Sequence, residues 1–325
     1  MKTWRNFATV VSIVLCLTVN AFAAPAPSQA ARAEPDQLTP ADAEMVMTIN
    51  VRQLLQTPVV KKHALDPIQM LLKRDDELGQ LLTAAGIDPL KDIDTIGLST
   101  SGNLAMAGKL LAVVRGKFDP DKARTAVAEY VKKHPGRIKD IKEGDLSMWE
   151  IPSNNKPLFA AFAGKNALVM TASKEDTVAA VKRVSERPQR LNKDMQAALD
   201  HLKGSESVWL AMVATDQLKK VLKADDNAKD FADALQSITG GLELTDDAQF
   251  TLVVHTNDAK AATQIKGKID ELMPLLSFVG AGKDAGGRIV KEVVDNIKLS
   301  ADKNDVSIRI KITDAQIEKA RKKSQ

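Results

Sequence analysis

The sequence predicts an α+β fold of two related units, each with a mostly antiparallel sheet and helices on one face. Short alternating strands and helices with a 3/4-spaced apolar stripe follow one another along the chain. The order of strand, polar turn, longer strand and Asp-initiated, alanine-rich helix occurs twice, in residues 96–127 and in residues 241–265. This repetition indicates an internal duplication.

Residues 1–23 have the features of a signal peptide. Lys2 and Arg5 precede an apolar run from Phe7 to Val19, and residues 21–23 (Ala-Phe-Ala) have the small-x-small form that signal peptidase accepts. The run is shorter than the ~20 apolar residues of a membrane span. We therefore expect cleavage without a transmembrane anchor, and a protein exported to the periplasm or secreted.

The rest of the chain divides by composition and pattern. Residues 24–40 are rich in Ala and Pro and have almost nothing to bury, which predicts a disordered lead-in. Organised structure begins at residues 45–49, where apolar side chains alternate as in a half-buried strand. We expect a first α+β unit over residues 41–203 and a second over residues 204–325.

Local signals place several elements of the first unit. Helical spacing extends through residue 85, and Asp119 followed by Pro120 predicts another helix start. Ser173 predicts the start of a third helix through Asp176, three residues later. Short strands lie between these helices, with a hairpin turn at residues 164–166.

The second unit repeats this pattern. A strand is predicted over residues 207–214, followed by helices that extend through Ile238 and then by two strands. Asp258 opens a long amphipathic helix. A hairpin turns around residues 302–305, and Thr313 caps a last helix.

Composition excludes some classes of function. Cys16 is the only cysteine and lies in the leader, so the mature chain has neither disulfides nor thiolate chemistry. Without the leader, 44 Lys and Arg residues face 42 Asp and Glu residues with the signs interspersed. Because affinity for nucleic acid needs clustered positive charge, we expect no nucleic-acid partner.

The sequence predicts no catalytic residue and no metal ligand. His63, His134, His201 and His255 are far apart, and none has a second His or Cys at metal-ligand spacing. His255, on a predicted strand, could act as a base, but without a recognisable partner it is interpreted as structural. A G-x-S-x-G elbow is absent from the sequence. These observations favour a protein that is not an enzyme.

A glycine-rich stretch resembles a nucleotide motif. Gly280, Gly282 and Ala285 fit G-x-G-x-x-[G/A], and Asp302 follows about twenty residues on. However, the apolar residues before Gly280 continue a helical spacing, and too little chain follows for further parallel strands. We interpret the stretch as a flexible joint, and we predict no cofactor.

The chain resembles a class of exported bacterial proteins. The segments LTPADAEMVMTINVRQLL, KFDPDKARTAVAEYV and NIKLSADKNDVSIRIKIT are similar in layout to uncharacterised exported α+β proteins classed as domains of unknown function. The resemblance extends over most of the mature chain and brings no catalytic motif. It implies an exported α+β protein without an assigned activity.

Three functions remain open from the sequence. The first is an exported, non-catalytic structural or interaction protein, whose partner is an unknown protein or envelope component. The second is a binder of an apolar small molecule or a lipid surface, and the third is an enzyme with dispersed catalytic residues. The second hypothesis predicts an apolar contact surface formed by Leu272, Leu275, Leu276, Phe278 and Val279. A large apolar pocket would favour it, whereas a cleft with converging polar groups would favour an enzyme.

Overall fold

The structure is a computed structural model that describes most of the chain after residue 32. The described residues are 33–74, 76–102, 109–153, 156–186, 188–226, 228–245, 247–279 and 296–322, without the side chains of 71–78, 80, 272, 274–279 and 319–322. Contacts divide it into two units, residues 35–55 with 65–192, and residues 56–64 with 193–322. The fold is α+β, as the sequence predicts. The boundary between the units lies between residues 192 and 193, about ten residues before the predicted one between 203 and 204.

The described part of the first unit contains a seven-stranded antiparallel sheet. Its strands lie in the order β1-β2-β3-β7-β6-β5-β4, and each neighbouring pair is antiparallel. The strands are β1 (Met45–Ile49), β2 (Ile93–Ser101), β3 (Lys109–Gly116), β4 (Lys139–Glu143), β5 (Leu146–Ile151), β6 (Leu158–Phe162) and β7 (Ala167–Thr171).

Helices connect these strands where the local signals predict them. They are α1 (Val51–Gln56), α2 (Leu65–Arg74), α3 (Asp76–Ala85), α4 (Pro89–Asp92), α5 (Pro120–Lys133) and α6 (Lys174–Lys182), the last continued by a 3₁₀ turn at Arg183–Ser185. The side chain of Asp119 accepts hydrogen bonds from the first turn of α5, and Ser173 caps α6 in the same way. Both predicted helix starts are confirmed, because each cap satisfies backbone N–H groups that a helix end leaves free.

Helices cover both faces of the first sheet. Because successive side chains of a strand point to opposite faces, neighbouring residues of β7 belong to separate clusters. Val113 and Val169 pack with Ala180 of α6 on one face. Leu168 packs with Ala123 of α5 on the other. The second helical layer is a feature that the sequence analysis did not anticipate.

The end of the expected disordered lead-in is ordered. Leu38 is fully buried in the cluster of Val113 and Val169. Asp36 forms a two-point ion pair with Arg115, with distances of 2.7 Å to Nε and 2.9 Å to Nη2. The expectation of disorder is therefore wrong for residues 35–40. Burial of Leu38 and the ion pair of Asp36 hold this segment against the sheet, although it is otherwise poor in apolar residues. Residues 1–32, with the predicted signal peptide, lie outside the described residues.

The second unit has a five-stranded antiparallel sheet in its described residues. The strand order is β8-β9-β10-β12-β11. The strands are β8 (Val208–Val213), β9 (Leu235–Leu244), β10 (Ala248–Thr256), β11 (Ile297–Asp302) and β12 (Asp305–Ile312), and the helices are α7 (Lys193–Leu199), α8 (Asp216–Lys223), α9 (Ala259–Val279) and α10 (Asp314–Lys322). A π-helical turn at Val60–Ala64 also belongs to this unit.

One predicted helix of the second unit is a strand. The sequence analysis extended helices through Ile238, but β9 begins at Leu235 and pairs with β8 on one side and β10 on the other. The segment contains the β-branched residues Ile238 and Thr239, which favour a strand, and the pair Gly240-Gly241, which disfavours a helix interior. Apolar spacing alone did not distinguish the two in so short a segment.

The two faces of the second sheet differ in chemistry. Ala262 and Ile265 of α9 pack on Val306 of β12, together with Val254 of β10. By the alternation of side chains, the neighbouring residues His255 and Asp305 point to the opposite face. That face carries the polar cluster described below.

Two predicted features of the C-terminal region lie wholly or partly outside the described residues. The surface of Leu272, Leu275, Leu276, Phe278 and Val279 lies on α9, but all five side chains are outside the described set. Gly280, Gly282 and Ala285, the predicted joint, also lie outside the described residues. Among the helices that are described, none is both long and apolar enough to cross a membrane.

Candidate functional site

A cluster of polar side chains lies at one end of the second sheet. His255 is the next-to-last residue of β10 and lies directly opposite Asp305, the first residue of β12. Thr239 on β9 completes the group from the other side. Antiparallel pairing thus brings together side chains from three strands, with Thr239 16 and Asp305 50 positions from His255 in the sequence.

Short contacts join these side chains in a chain. Oγ1 of Thr239 lies 2.8 Å from Nε2 of His255, and Nδ1 of His255 lies 2.9 Å from Oδ1 of Asp305. His255 is 4% exposed and Thr239 is 2% exposed. Both ring nitrogens of a buried imidazole therefore have a partner, as buried polar groups generally require.

His201 adds a second imidazole from the segment that follows α7. Its ring stacks on that of His255 with a centroid separation of 3.9 Å and an angle of 22° between the planes. One ligand atom each of His201, His255 and Asp305 lie within 4.8 Å of one another. His201 is exposed, so the buried chain continues to the surface through this ring.

The surroundings hold His255 in its neutral form. Burial lowers the pKa of His255 below its usual 6.5, and the neighbouring His201 lowers it further, while the hydrogen bond with Asp305 opposes both effects. Burial disfavours the charged imidazolium because the interior solvates an ion poorly. A neutral ring keeps a lone pair available on one nitrogen.

A buried carboxylate lies beside the cluster. Glu206 is 7% exposed; its Oε1 accepts a hydrogen bond of 3.0 Å from the backbone N–H of Lys203, whereas its Oε2 has no partner in the described part of the chain. Glu206, His201 and Thr239 line a cavity of about 50 Å³. Gly241 lines it too, and a Cβ at this position would lie 2.5 Å from Cγ of Glu206. The glycine is what allows the carboxylate to lie against β9.

A second histidine–carboxylate cluster occurs in the same unit. His63, on the π-helical turn, lies with Nε2 3.1 Å from Oδ1 of Asp314 at the start of α10. The ammonium group of Lys62 contacts Asp314 at 3.1 Å and Glu318 at 2.5 Å. A cation of the protein itself therefore already lies between these carboxylates.

The chain of contacts from Thr239 through His255 to Asp305 has the residue types of a catalytic triad, in which a nucleophile contacts a base and an acid orients the base. Two features argue against acyl transfer here. Thr239 lies in the middle of a strand and is almost fully buried. The adjoining cavity of about 50 Å³ is far smaller than the ~300 to 1,000 Å³ of pockets that bind organic ligands. The geometry supports a hydrogen-bonded relay between side chains more than an exposed nucleophile.

The first unit has a larger cavity of different character. It measures about 310 Å³ and is lined largely by charged side chains of α6 and of Glu143 at the end of β4. Glu143 and Lys174, which line it, form an ion pair with each other. Val178 and Ala179 add apolar surface to these walls, so the lining is mixed.

The sequence shows no partner for His255, whereas in the structure it contacts Thr239, Asp305 and the ring of His201. Asp305 and Thr239 are 50 and 16 positions away, so no local spacing rule detects them. A signal was nevertheless present, because the predicted hairpin at residues 302–305 ends at Asp305. Pairing β12 with β10 would have placed Asp305 opposite His255.

No protein-family model matches the chain, and no curated protein matches its sequence. Among solved structures, crystal form IV of TP0453 is 10% identical with a TM-score of 0.47, and covers 91% of this chain and 98% of its own. Crystal form I of TP0453 is 8% identical with a TM-score of 0.43, and covers 90% of this chain and 97% of its own.

Proposed function

We propose that this protein is an exported, non-catalytic interaction protein that binds another protein or an envelope component. The observation that carries the proposal is the small space beside its most concentrated polar cluster. The cavity at His201, Thr239 and Glu206 is about 50 Å³, and the buried side chains of Thr239 and His255 contact each other, with His255 also paired to Asp305. That volume is near the ~30 Å³ that one water molecule occupies in the liquid.

The alternatives need features that the described residues provide less well. An enzyme of the dispersed kind would need its substrate to reach Thr239 or His255, both of which are buried. A binder of apolar molecules would need walls free of charge, whereas charged residues make up four of the six that line the cavity of about 310 Å³. A protein partner needs neither, because protein interfaces are broad and about as polar as the rest of a surface.

Export is the first part of the proposal to test. The leader at residues 1–23 supports it, with a basic start, an apolar run and an Ala-Phe-Ala end. Cells that express the full chain are fractionated, and the N-terminus of the purified protein is sequenced. We expect the protein outside the cytoplasm with Ala24 as its first residue. Recovery of a cytoplasmic protein that retains Met1 would show that export is wrong.

The interaction is tested by reciprocal capture. The tagged protein is purified from the envelope or the culture fluid, and each co-purifying protein is then tagged and used to capture the chain in turn. A variant without residues 1–23 is the matched control, since it stays in the cytoplasm and should not recover the partner. Reproducible capture in both directions is expected. A small organic molecule that survives purification, seen by native mass spectrometry, would instead favour a ligand-binding function.

A further inference from the structure

We propose that His201, His255 and Asp305 form a binding site for a divalent transition metal ion, with Zn²⁺ as the expected ion. The site is independent of the proposed interaction function. It is built from two strands of the sheet and from the segment that follows α7. It contributes a chemistry that the histidine spacing in the sequence does not reveal.

The donor set selects the class of metal. Two imidazoles and one carboxylate suit zinc and related ions, whereas calcium and magnesium prefer oxygen ligands only. Tetrahedral zinc with ligands at about 2.0–2.1 Å places neighbouring donor atoms roughly 3.3 Å apart. Nδ1 of His255 and Oδ1 of Asp305 are 2.9 Å apart, and all three donor atoms lie within 4.8 Å of one another. Because the ring of His201 stacks on that of His255, His201 must also turn its ring to direct a nitrogen lone pair at the ion.

Thr239 supplies the partner that a metal-binding histidine needs. In the present structure a proton must lie between Nδ1 of His255 and Asp305, so Nε2 accepts from the hydroxyl of Thr239. When Nδ1 binds a metal, the ring carries its proton on Nε2 and donates it to the same hydroxyl oxygen. Because a hydroxyl can either donate or accept, Thr239 serves both tautomers without moving. Thr239 is thus a positioning residue, which orients the ring that binds the metal.

The exposed ring of His201 provides a ligand that can move. It lies after the end of α7, outside regular secondary structure, and the contact that the structure gives its ring is stacking on His255. Three protein ligands leave a fourth zinc position for water, as in open zinc sites.

A second, independent observation is the unpartnered carboxylate oxygen of Glu206. Glu206 is more than nine-tenths buried and lines the cavity shared with His201 and Thr239. Its Oε2 has no hydrogen-bond donor among the described residues. A water molecule in this cavity would supply one, and it would lie beside His201, which also lines the cavity. The cost of burying that oxygen without a donor would then be removed.

The second cluster shows why the site lies at His255 and not at His63. Lys62 places its ammonium group against both Asp314 and Glu318. A metal ion would have to displace that cation. Beside His201 and His255, the ammonium group of Lys203 instead lies 2.6 Å from Oε1 of Glu243. It therefore pairs with a carboxylate that is not one of the proposed metal ligands.

The experiment measures zinc binding directly. The full protein, purified without a histidine tag and treated with a chelator, is titrated with ZnCl₂ in a calorimeter. We expect one zinc ion per chain. His201→Ala and Asp305→Ala each remove a ligand and should reduce affinity the most. Thr239→Val should reduce it by roughly 10- to 100-fold, the range seen when residues that orient a metal-bound histidine are changed.

Matched histidine controls separate this site from binding elsewhere. His134→Ala, at the end of α5, and His63→Ala, in the second cluster, should leave the zinc affinity unchanged. Cobalt in place of zinc should give the intense visible absorption of a four-coordinate ion, which His201→Ala abolishes. His201 is exposed, so this variant is expected to keep the wild-type circular dichroism spectrum. Zinc binding by His201→Ala at wild-type affinity, or no binding by the wild type, would overturn the proposal.

Discussion

The third strand of each unit has a basic side chain at its next-to-last residue, and the two side chains have different partners. In the first unit, Arg115 of β3 forms its ion pair with Asp36 and donates a 3.2 Å hydrogen bond to Asn166. In the second unit, His255 of β10 lies between Thr239 and Asp305. The two sheets also share the order of three consecutive strands, a helix, and a return to pair with the third strand.

The difference shows how basic side chains near the ends of two strands can serve in two ways. A guanidinium is always charged, so Arg115 makes a permanent bond that holds an N-terminal segment in place. An imidazole that is held neutral keeps a lone pair on one ring nitrogen. This is the form of histidine that binds metal ions. Arg115 therefore stabilises the first unit, whereas His255 of the second unit keeps a nitrogen lone pair.

The largest expected effect comes from removing the side chain of Leu38. Leu38→Ala should lower the free energy of unfolding by about 3 kcal/mol, because a fully buried leucine loses its contacts and leaves a cavity. Urea unfolding measures the change. Gln37→Ala changes an exposed neighbour and should have little effect. Equal effects of the two variants would mean that the segment is not fastened by burial.

A smaller effect is expected from the ion pair of the first unit. Asp36→Asn should cost about 2 kcal/mol, because Arg115 then keeps a mostly buried charge without its carboxylate. Glu34→Gln, at an exposed position nearby, is the control. A double-mutant cycle with Arg115→Met gives the coupling energy of the pair. A coupling energy near zero would remove the contrast between the two units.

In the second unit, the glycine beside the cavity can be tested in the same way. Gly241→Ala should cost about 1 to 2 kcal/mol, since the new Cβ would lie 2.5 Å from Cγ of Glu206 and displace it. Gly240→Ala is a matched control, because its Cβ would lie 3.3 Å from the end of the Leu252 side chain and 3.5 Å from the backbone oxygen of Thr251. Urea unfolding of both variants should show a larger loss for Gly241→Ala. The reverse order would show that Glu206 is free to move.

The most gradual effect is the dependence of stability on pH. The pKa of His255 is lowered in the folded protein, mainly by burial, so between that pKa and 6.5 the unfolded chain binds more protons. The contribution of His255 to stability should therefore be fully present above pH 6.5 and be lost as the pH falls through the folded-state pKa. One group changes the free energy of unfolding by at most about 1.4 kcal/mol per pH unit.

The pH effect is measured by urea unfolding in the presence of a chelator, which keeps metal ions away from His255. His255→Gln removes the titrating ring, and its stability should depend less on pH than that of the wild type. Identical pH profiles for the two proteins would show that His255 does not titrate differently on folding.

The sequence predicts those parts of the fold that depend on neighbours in the chain. Asp119, Ser173 and Thr313 cap their helices as expected, because each cap acts on backbone groups within three residues. The β11–β12 hairpin also forms as predicted, with Lys303 in the left-handed conformation at its turn.

The parts that sequence reasoning missed depend on distant pairing. Asp36 and Leu38 look like linker residues until β3 and β7 supply their partners. Likewise, His255 looks solitary until β12 places Asp305 opposite it. In both regions a single polar residue gains its role from strand register, which no local spacing contains.

The Asp36–Arg115 ion pair has a consequence for the order of folding. Its partners are 79 positions apart, so Asp36 cannot be fastened until β3 has been formed. In a chain that crosses a membrane from its N-terminus, the segment around Asp36 emerges early and becomes ordered late. Leu38 packs on β3 and β7, so its burial comes late in the folding of the first unit, after the strands that receive it.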